Sequence, residues 1–148
     1  MSDAPDVPQA GSARRRPAAG RPVPVSTYRL QLGQDLTLDD AAALVPYLAD
    51  LGITHLYLSP VLTAAPGSTH GYDVVDHNEI APLLGGRLAL DRLAAAAHDR
   101  GLGMILDIVP NHRAVPTPVW HNKALWSVLS DGPDSEYAAW FDVDWSAG

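Results

Sequence analysis

The stretch Met104-Ile105-Leu106-Asp107-Ile108-Val109-Pro110-Asn111-His112 is an apolar run interrupted once, by Asp107, and stopped by Pro110. Bounded by Gly103 and Pro110 and rich in β-branched residues, it predicts a strand over Met104–Val109 buried on both faces, as in a parallel sheet. A carboxylate inside such a strand is costly unless it is paired or hydrogen-bonded, so Asp107 needs a reason to be there. Asn111 and His112 then stand just past the strand's C-terminal end, where parallel α/β folds bind their ligands. The plainer alternative is a strand ended by a proline, with Asp107 held in a structural salt bridge.

Working back from this strand, Leu88–Arg100 carries Leu90, Leu93, Ala94 and Ala97 at helical spacing, with Gly101 placed to end the helix. An earlier helix is signalled by Thr37-Leu38-Asp39-Asp40, a capping-box pattern, followed by Leu38, Ala41, Ala42, Val45, Leu48 and Ala49 on one face and Gly52 at the end. Pro46 falls inside that pattern and predicts a kink or a split. Val23–Leu32 and Ile53–Ser59 read as strands. The passages Leu51-Gly52-Ile53 and Arg100-Gly101-Leu102 repeat one helix-to-strand design, so the order is strand–helix–strand–helix–strand with a parallel sheet. Between Ile53–Ser59 and the second helix lies a connection of about 26 residues, Val61–Gly86, too long for a plain linker and read as a functional loop. Beyond His112 the pattern loosens. Asn122–Leu129 and Ser135–Trp140 are candidate short helices, and Trp120, Trp126, Trp140 and Trp145 crowd the end.

Composition narrows the function. The chain of 148 residues has a net charge of −7, which conceals a basic start: Arg14, Arg15, Arg16 and Arg21 precede Pro22. The rest is strongly acidic, which argues against nucleic acid as the partner. Residues 1–22, rich in Pro, Ala, Gly and Arg, read as a disordered N-terminal extension. There is no cysteine, hence no disulfide, thiolate ligand or cysteine nucleophile. No apolar run is long enough to span a membrane, and the first 20 residues hold no apolar signal core, so a cytoplasmic location is expected.

The long loop contains His70, Gly71, Tyr72, Asp73, Asp76 and His77. In a parallel sheet, this loop and Asp107/His112 share one rim. An aromatic ring, carboxylates and imidazoles on one rim suit a sugar: the ring packs on the C–H face of a pyranose, and the polar groups bond its hydroxyls. The structural alternatives are Tyr72 packing on Pro60 or Pro66 and Asp73 closing an Asx turn. His55 and His98 read as structural. The tryptophans read as core or interface residues, with Trp120 and Trp126 also able to stack on sugars. No dense metal-ligand motif is present, and Asn111 is only a weak calcium candidate through its amide oxygen.

Asp107-Ile108-Val109-Pro110-Asn111-His112 resembles the D-x-V-x-N-H region of glycoside hydrolase family 13, the α-amylase superfamily, and Gly71-Tyr72-Asp73 resembles its G-Y-D. Ser26-Thr27-Tyr28-Arg29-Leu30-Gln31, Leu56-Tyr57-Leu58-Ser59-Pro60, Gly67-Ser68-Thr69-His70, Leu84-Gly85-Gly86 and Phe141-Asp142-Val143-Asp144-Trp145 resemble its maltooligosyltrehalose synthase subfamily, from about Pro24 onward. The resemblance implies an α/β fold, the N-terminal part (about three strands) of a (β/α)8 TIM barrel. Residues 23–113 would form the first three β/α units, and 114–148 the start of a domain inserted after strand three.

It also implies a retaining glucosylmutase of trehalose biosynthesis. That enzyme turns the reducing-end α-1,4 linkage of a maltooligosaccharide into an α,α-1,1 linkage, with no cofactor and with functional coupling to a maltooligosyltrehalose hydrolase. The family's nucleophile and acid/base follow later strands, so no catalytic residue is expected in this chain, which alone is expected to be inactive and poorly folded. The roles implied here are substrate-binding and supporting ones: Tyr72 as platform under the sugar, His112 as hydroxyl ligand, Asp107 as supporting carboxylate, Asp73 as rim carboxylate, and His70 beside them. The alternatives are an α-amylase-type hydrolase and a non-catalytic maltodextrin-binding stub.

Overall fold

Leu56 and Leu58 flank Tyr57, so in a strand the two leucines leave one face and the tyrosine the other. Both leucines are fully buried. The computed structural model, which describes residues 23–146, shows what covers them. The extension expected over 1–22, with its arginines, lies outside the described residues. Strands β1 (Thr27–Leu30), β2 (His55–Leu58) and β5 (Gly103–Leu106) form a parallel sheet in the order β1-β2-β5. Helices α1 (Leu38–Asp50) and α2 (Gly86–Asp99) join them. Leu38, Ala41, Val45 and Leu48 of α1 and Ala89, Leu93 and Ala97 of α2 complete one core with Leu30, Leu56 and Leu58.

The helix signals act as the residues dictate. Thr37 caps α1: its hydroxyl accepts from the Asp40 N–H, and the Asp40 carboxylate accepts from the Thr37 N–H at 2.9 Å. Both helices close in the same way. Gly52 N–H donates to Ala49 O and Ile53 N–H to Leu48 O, while Gly101 N–H donates to His98 O and Leu102 N–H to Ala97 O. Pro46 does not split α1. It lies on the exposed face of the helix, which runs through it from Leu38 to Asp50. In α2 the buried row is Ala89, Leu93 and Ala97, with Leu90 only partly covered. At Gly85, with φ +100°, an added Cβ would stand 2.6 Å from the Ala89 Cβ, so the close approach of this turn to α2 requires glycine there.

Three expectations are corrected. The third strand is shorter than Met104–Val109 and is half-buried to exposed rather than buried on both faces; β5 also pairs only with β2, which leaves one of its edges open among the described residues. Asp107 therefore follows the strand rather than interrupting it. The connection Val61–Gly86 is not a structureless loop. It holds an antiparallel hairpin, β3 (Leu62–Ala64) with β4 (Val74–Ile80), whose register shifts twice; His70, Tyr72 and Asp73 lie in its tip, and Asp76 and His77 in β4. Near the end, α3 (Lys123–Asp131) forms with Asn122 as its cap, but Ser135–Trp140 yields only a short 3-10 turn, Ala138–Trp140. No helix among the described residues is long and apolar enough to cross a membrane.

Candidate functional site

The three parallel strands end level, at Leu30, Leu58 and Leu106. One residue further, Asp107 N–H donates to Leu58 O at 2.9 Å, so the carboxylate leaves the rim from a fixed backbone. Its Oδ2 accepts from the Tyr72 hydroxyl at 2.5 Å and from the Tyr57 hydroxyl at 3.2 Å. Arg29 Nη2 stands 4.0 Å from the same oxygen and donates to the Tyr72 hydroxyl at 3.1 Å. The guanidinium also lies over the Tyr57 ring, 5.5 Å from its centre, and Nη1 donates to Gln31 Oε1 at 2.8 Å. Register explains the convergence: Arg29 pairs with Tyr57, which pairs with Ile105, and Asp107 lies two residues on, on the same face.

The Tyr72 hydroxyl thus donates to a carboxylate and accepts from a cation. Its bond to Asp107 holds the phenol pKa above the usual value, and Arg29 opposes this more weakly. Arg29 is held further above its usual value, chiefly by its bond to Tyr72, and stays cationic.

The hairpin tip aims Tyr72. Gly71 has φ +80°, and a Cβ there would meet the Pro60 carbonyl oxygen at 3.1 Å, so only glycine lets the tip approach β2 so closely. Tyr72 N–H donates to His70 Nδ1 at 3.0 Å, and the two rings stack with centres 5.9 Å apart. Asp73 Oδ1 lies 3.7 Å from the same nitrogen, but Nδ1 already accepts a hydrogen bond, so that contact is not a His–Asp ion pair through Nδ1–H. Asp73 instead accepts from the Ser68 hydroxyl, whose oxygen accepts from the Gly71 N–H.

After β5 the chain is pinned to β4. His77 Nε2 contacts Val109 O at 2.7 Å, Ala114 N–H donates to Val74 O, and Arg113 donates to Val75 O. This brings His112 over the tip, where Nε2 lies 3.2 Å from Tyr72 O and Nδ1 lies 3.0 Å from Asn111 Oδ1. Among the described residues no cluster of three His, Cys, Asp or Glu gathers to hold a metal.

Tyr72, Asp107 and His112 therefore stand together, with His70 stacked alongside. Asp73 lies beneath the tip and bonds within it. The partially exposed Tyr72 face, the Asp107 carboxylate and the His112 imidazole can bind a polyhydroxyl ring.

The family described as "Alpha amylase, catalytic domain" matches residues 37–147. This chain belongs to the alpha-amylase catalytic-domain family. Its parallel β/α sheet is the first part of that family's barrel fold. Among curated relatives, a putative maltooligosyl trehalose synthase of Mycobacterium tuberculosis (strain H37Rv) is 52% identical over 129 residues, covering 84% of this chain and 17% of the relative. A cyclomaltodextrinase of Geobacillus thermopakistaniensis is 38% identical over 97 residues, covering 66% of this chain and 15% of that protein. Among solved structures, maltooligosyltrehalose synthase from Arthrobacter ramosus superposes with a TM-score of 0.77 at 54% identity, covering 83% of this chain and 16% of that one. The chain thus spans about one sixth of the length of these trehalose-synthase relatives.

Arg29, Tyr57 and Gln31 join the rim cluster, although none of them is a site candidate of the sequence analysis. Their signal was present in the alternation Tyr28-Arg29-Leu30-Gln31 and Leu56-Tyr57-Leu58: strands with one leucine face carry Arg, Gln and Tyr on the other.

Proposed function

We propose that this chain supplies the N-terminal wall of the sugar site of a retaining glucosylmutase, an isomerase that converts the reducing-end α-1,4 linkage of a maltooligosaccharide into an α,α-1,1 linkage. The observation that carries the reading is the 52–54% identity, across more than four fifths of the chain, to proteins named maltooligosyl trehalose synthase. The rim cluster supports it. Tyr72 offers a ring face to a glucosyl unit, His112 bonds its hydroxyls, and Asp107 holds Tyr72 in place through Oδ2. His70 supports the Tyr72 ring, and Asp73 braces the tip. The nucleophile and acid/base of such a reaction need a carboxylate pair at short separation. No residue described here is given either role, and residues 1–148 alone are proposed to turn over no maltopentaose. A cytoplasmic location and functional coupling to a hydrolase of maltooligosyltrehalose belong to the same reading.

The test is product analysis with the native polypeptide and maltopentaose. Loss of reducing ends at unchanged product mass is the expected result. Release of shorter reducing sugars would replace the mutase with an α-amylase-type hydrolase, a reading favoured by the cyclomaltodextrinase likeness. Binding without any turnover would leave a maltodextrin-binding module.

A further inference from the structure

Arg29 is the one residue of the rim cluster that touches both tyrosines and approaches the carboxylate. Tyr72 sits on a hairpin tip, 37% exposed; its stack on His70 lies within that tip, and its bond to Asp107 fixes one distance to the sheet while leaving the tip free to turn about it. The second bond, from Arg29 Nη2, meets the same hydroxyl from β1 and removes that freedom. A parallel arm runs beside it: Arg29 Nη1 donates to Gln31 Oε1, and Gln31 Nε2 donates to His70 O at 3.4 Å. Arg29 of β1 and Gln31 just past its end thus grip the tip at two points, His70 by its backbone and Tyr72, two residues on, by its side chain. The guanidinium lies over the Tyr57 ring, and the fork of donors with which it reaches Tyr72 and Gln31 together is what a lysine lacks.

We propose that Arg29 is a positioning residue: with Gln31 it clamps the hairpin tip onto β1 and sets the ring face that Tyr72 presents to a glucosyl unit. This rests on the reading of Tyr72 as a sugar platform. Arg29 itself touches no reacting atom in it.

The experiment places 3-fluorotyrosine at position 72 of the native polypeptide and follows its fluorine resonance with pH in the parent, Arg29→Met and Arg29→Lys. Maltopentaose kinetics are measured on the unlabelled forms and on Tyr72→Ala. The expected result is a shifted resonance and a higher titration midpoint in Arg29→Met, because the neighbouring cation is gone, with partial return in Arg29→Lys. KM should rise about tenfold in Arg29→Met while kcat falls less, as misplacement of a binding group predicts. A position-72 resonance that is unmoved in both Arg29 variants overturns the clamp, whatever the kinetics. So does a raised KM in Tyr72→Ala beside a parent-like KM in Arg29→Met. A parent-like KM in Tyr72→Ala overturns the platform reading instead. Should Arg29→Met fail to fold, Arg29→Lys decides: parent values in both readouts overturn the clamp.

Discussion

At the scale of single residues, Gly71 at the rim and Gly103 at the strand foot act by the side chain they lack. A Cβ on Gly103 would stand 2.3 Å from the buried His55 ring, which packs against β5 from the neighbouring strand. Gly103→Ala in the native polypeptide is expected to cost about 1–3 kcal/mol, the range for overpacking. Adding His55→Ala should recover part of that loss, so a double-mutant cycle by urea denaturation that shows plain additivity would refute the contact. The rim makes a second prediction. Asp107 is the largest cause of the raised Tyr72 phenol. A folded-state pKa above the unfolded one favours the native state below the unfolded value, and this contribution fades as pH rises through the folded one. Asp107→Asn removes the charge but keeps an acceptor, so it should lower the Tyr72 midpoint. It should also weaken the alkaline slope of stability, read by the same fluorine titration and by melting temperature between pH 8 and 11.

At the scale of elements, the ends of the helices carry more information than their middles. Thr37→Ala removes the cap hydroxyl of α1 and should cost about 1 kcal/mol by denaturant melting, with Thr37→Ser retaining most of it. Helix α1 also meets α2 through a fork, Arg92 Nε to Asp39 Oδ1 at 2.8 Å and Nη2 to Oδ2 at 2.7 Å. Arg92 holds the Asp39 carboxyl below its usual pKa. Its contribution is therefore present above the unfolded carboxylate pKa and is lost as pH falls through the folded one. Arg92→Met should make melting temperature less sensitive to acid between pH 5 and 3, by a small amount that salt reduces, since the pair is exposed. Caps and helix-ending glycines were legible because they are local: Thr37, Asp40, Gly52 and Gly101 act on neighbours three to five residues away. The hairpin in Val61–Gly86 was not, because its two register shifts break the alternation that marks a strand, and polar Asp76, His77, Asn78 and Glu79 occupy β4. Asp107, Tyr72 and His112 announced a rim once the sheet was read as parallel. Local alternation puts Arg29 and Tyr57 on the face opposite the leucines, but their convergence on Asp107 comes from register between strands distant in sequence, which the alternation alone does not encode.

At the scale of the whole molecule, burial is one-sided. Helices α1 and α2 cover the leucine face of the sheet, and a substitution there such as Leu56→Ala or Leu93→Ala is expected to cost about 2–5 kcal/mol, the range for cavities left by buried leucines. The outer side of β5 has no cover of that kind among the described residues. Leu106 is 41% exposed and Ile108 66%, at or just past a strand edge that has no strand partner on that side among the described residues. A parallel edge of this sort is a template for another strand, and apolar residues beside it turn pairing into association. Residues 1–148 produced by themselves should therefore self-associate, bind a hydrophobic dye and give no product from maltopentaose. Ile108→Lys should reduce the association while leaving the far-ultraviolet circular dichroism unchanged, because the side chain points to solvent and a charge blunts an open edge. Sedimentation of the two forms at matched concentration checks this. A monomeric parent chain that binds no dye would mean that β5 closes its own edge in solution, and the inactivity expected of it would then need a cause other than exposure.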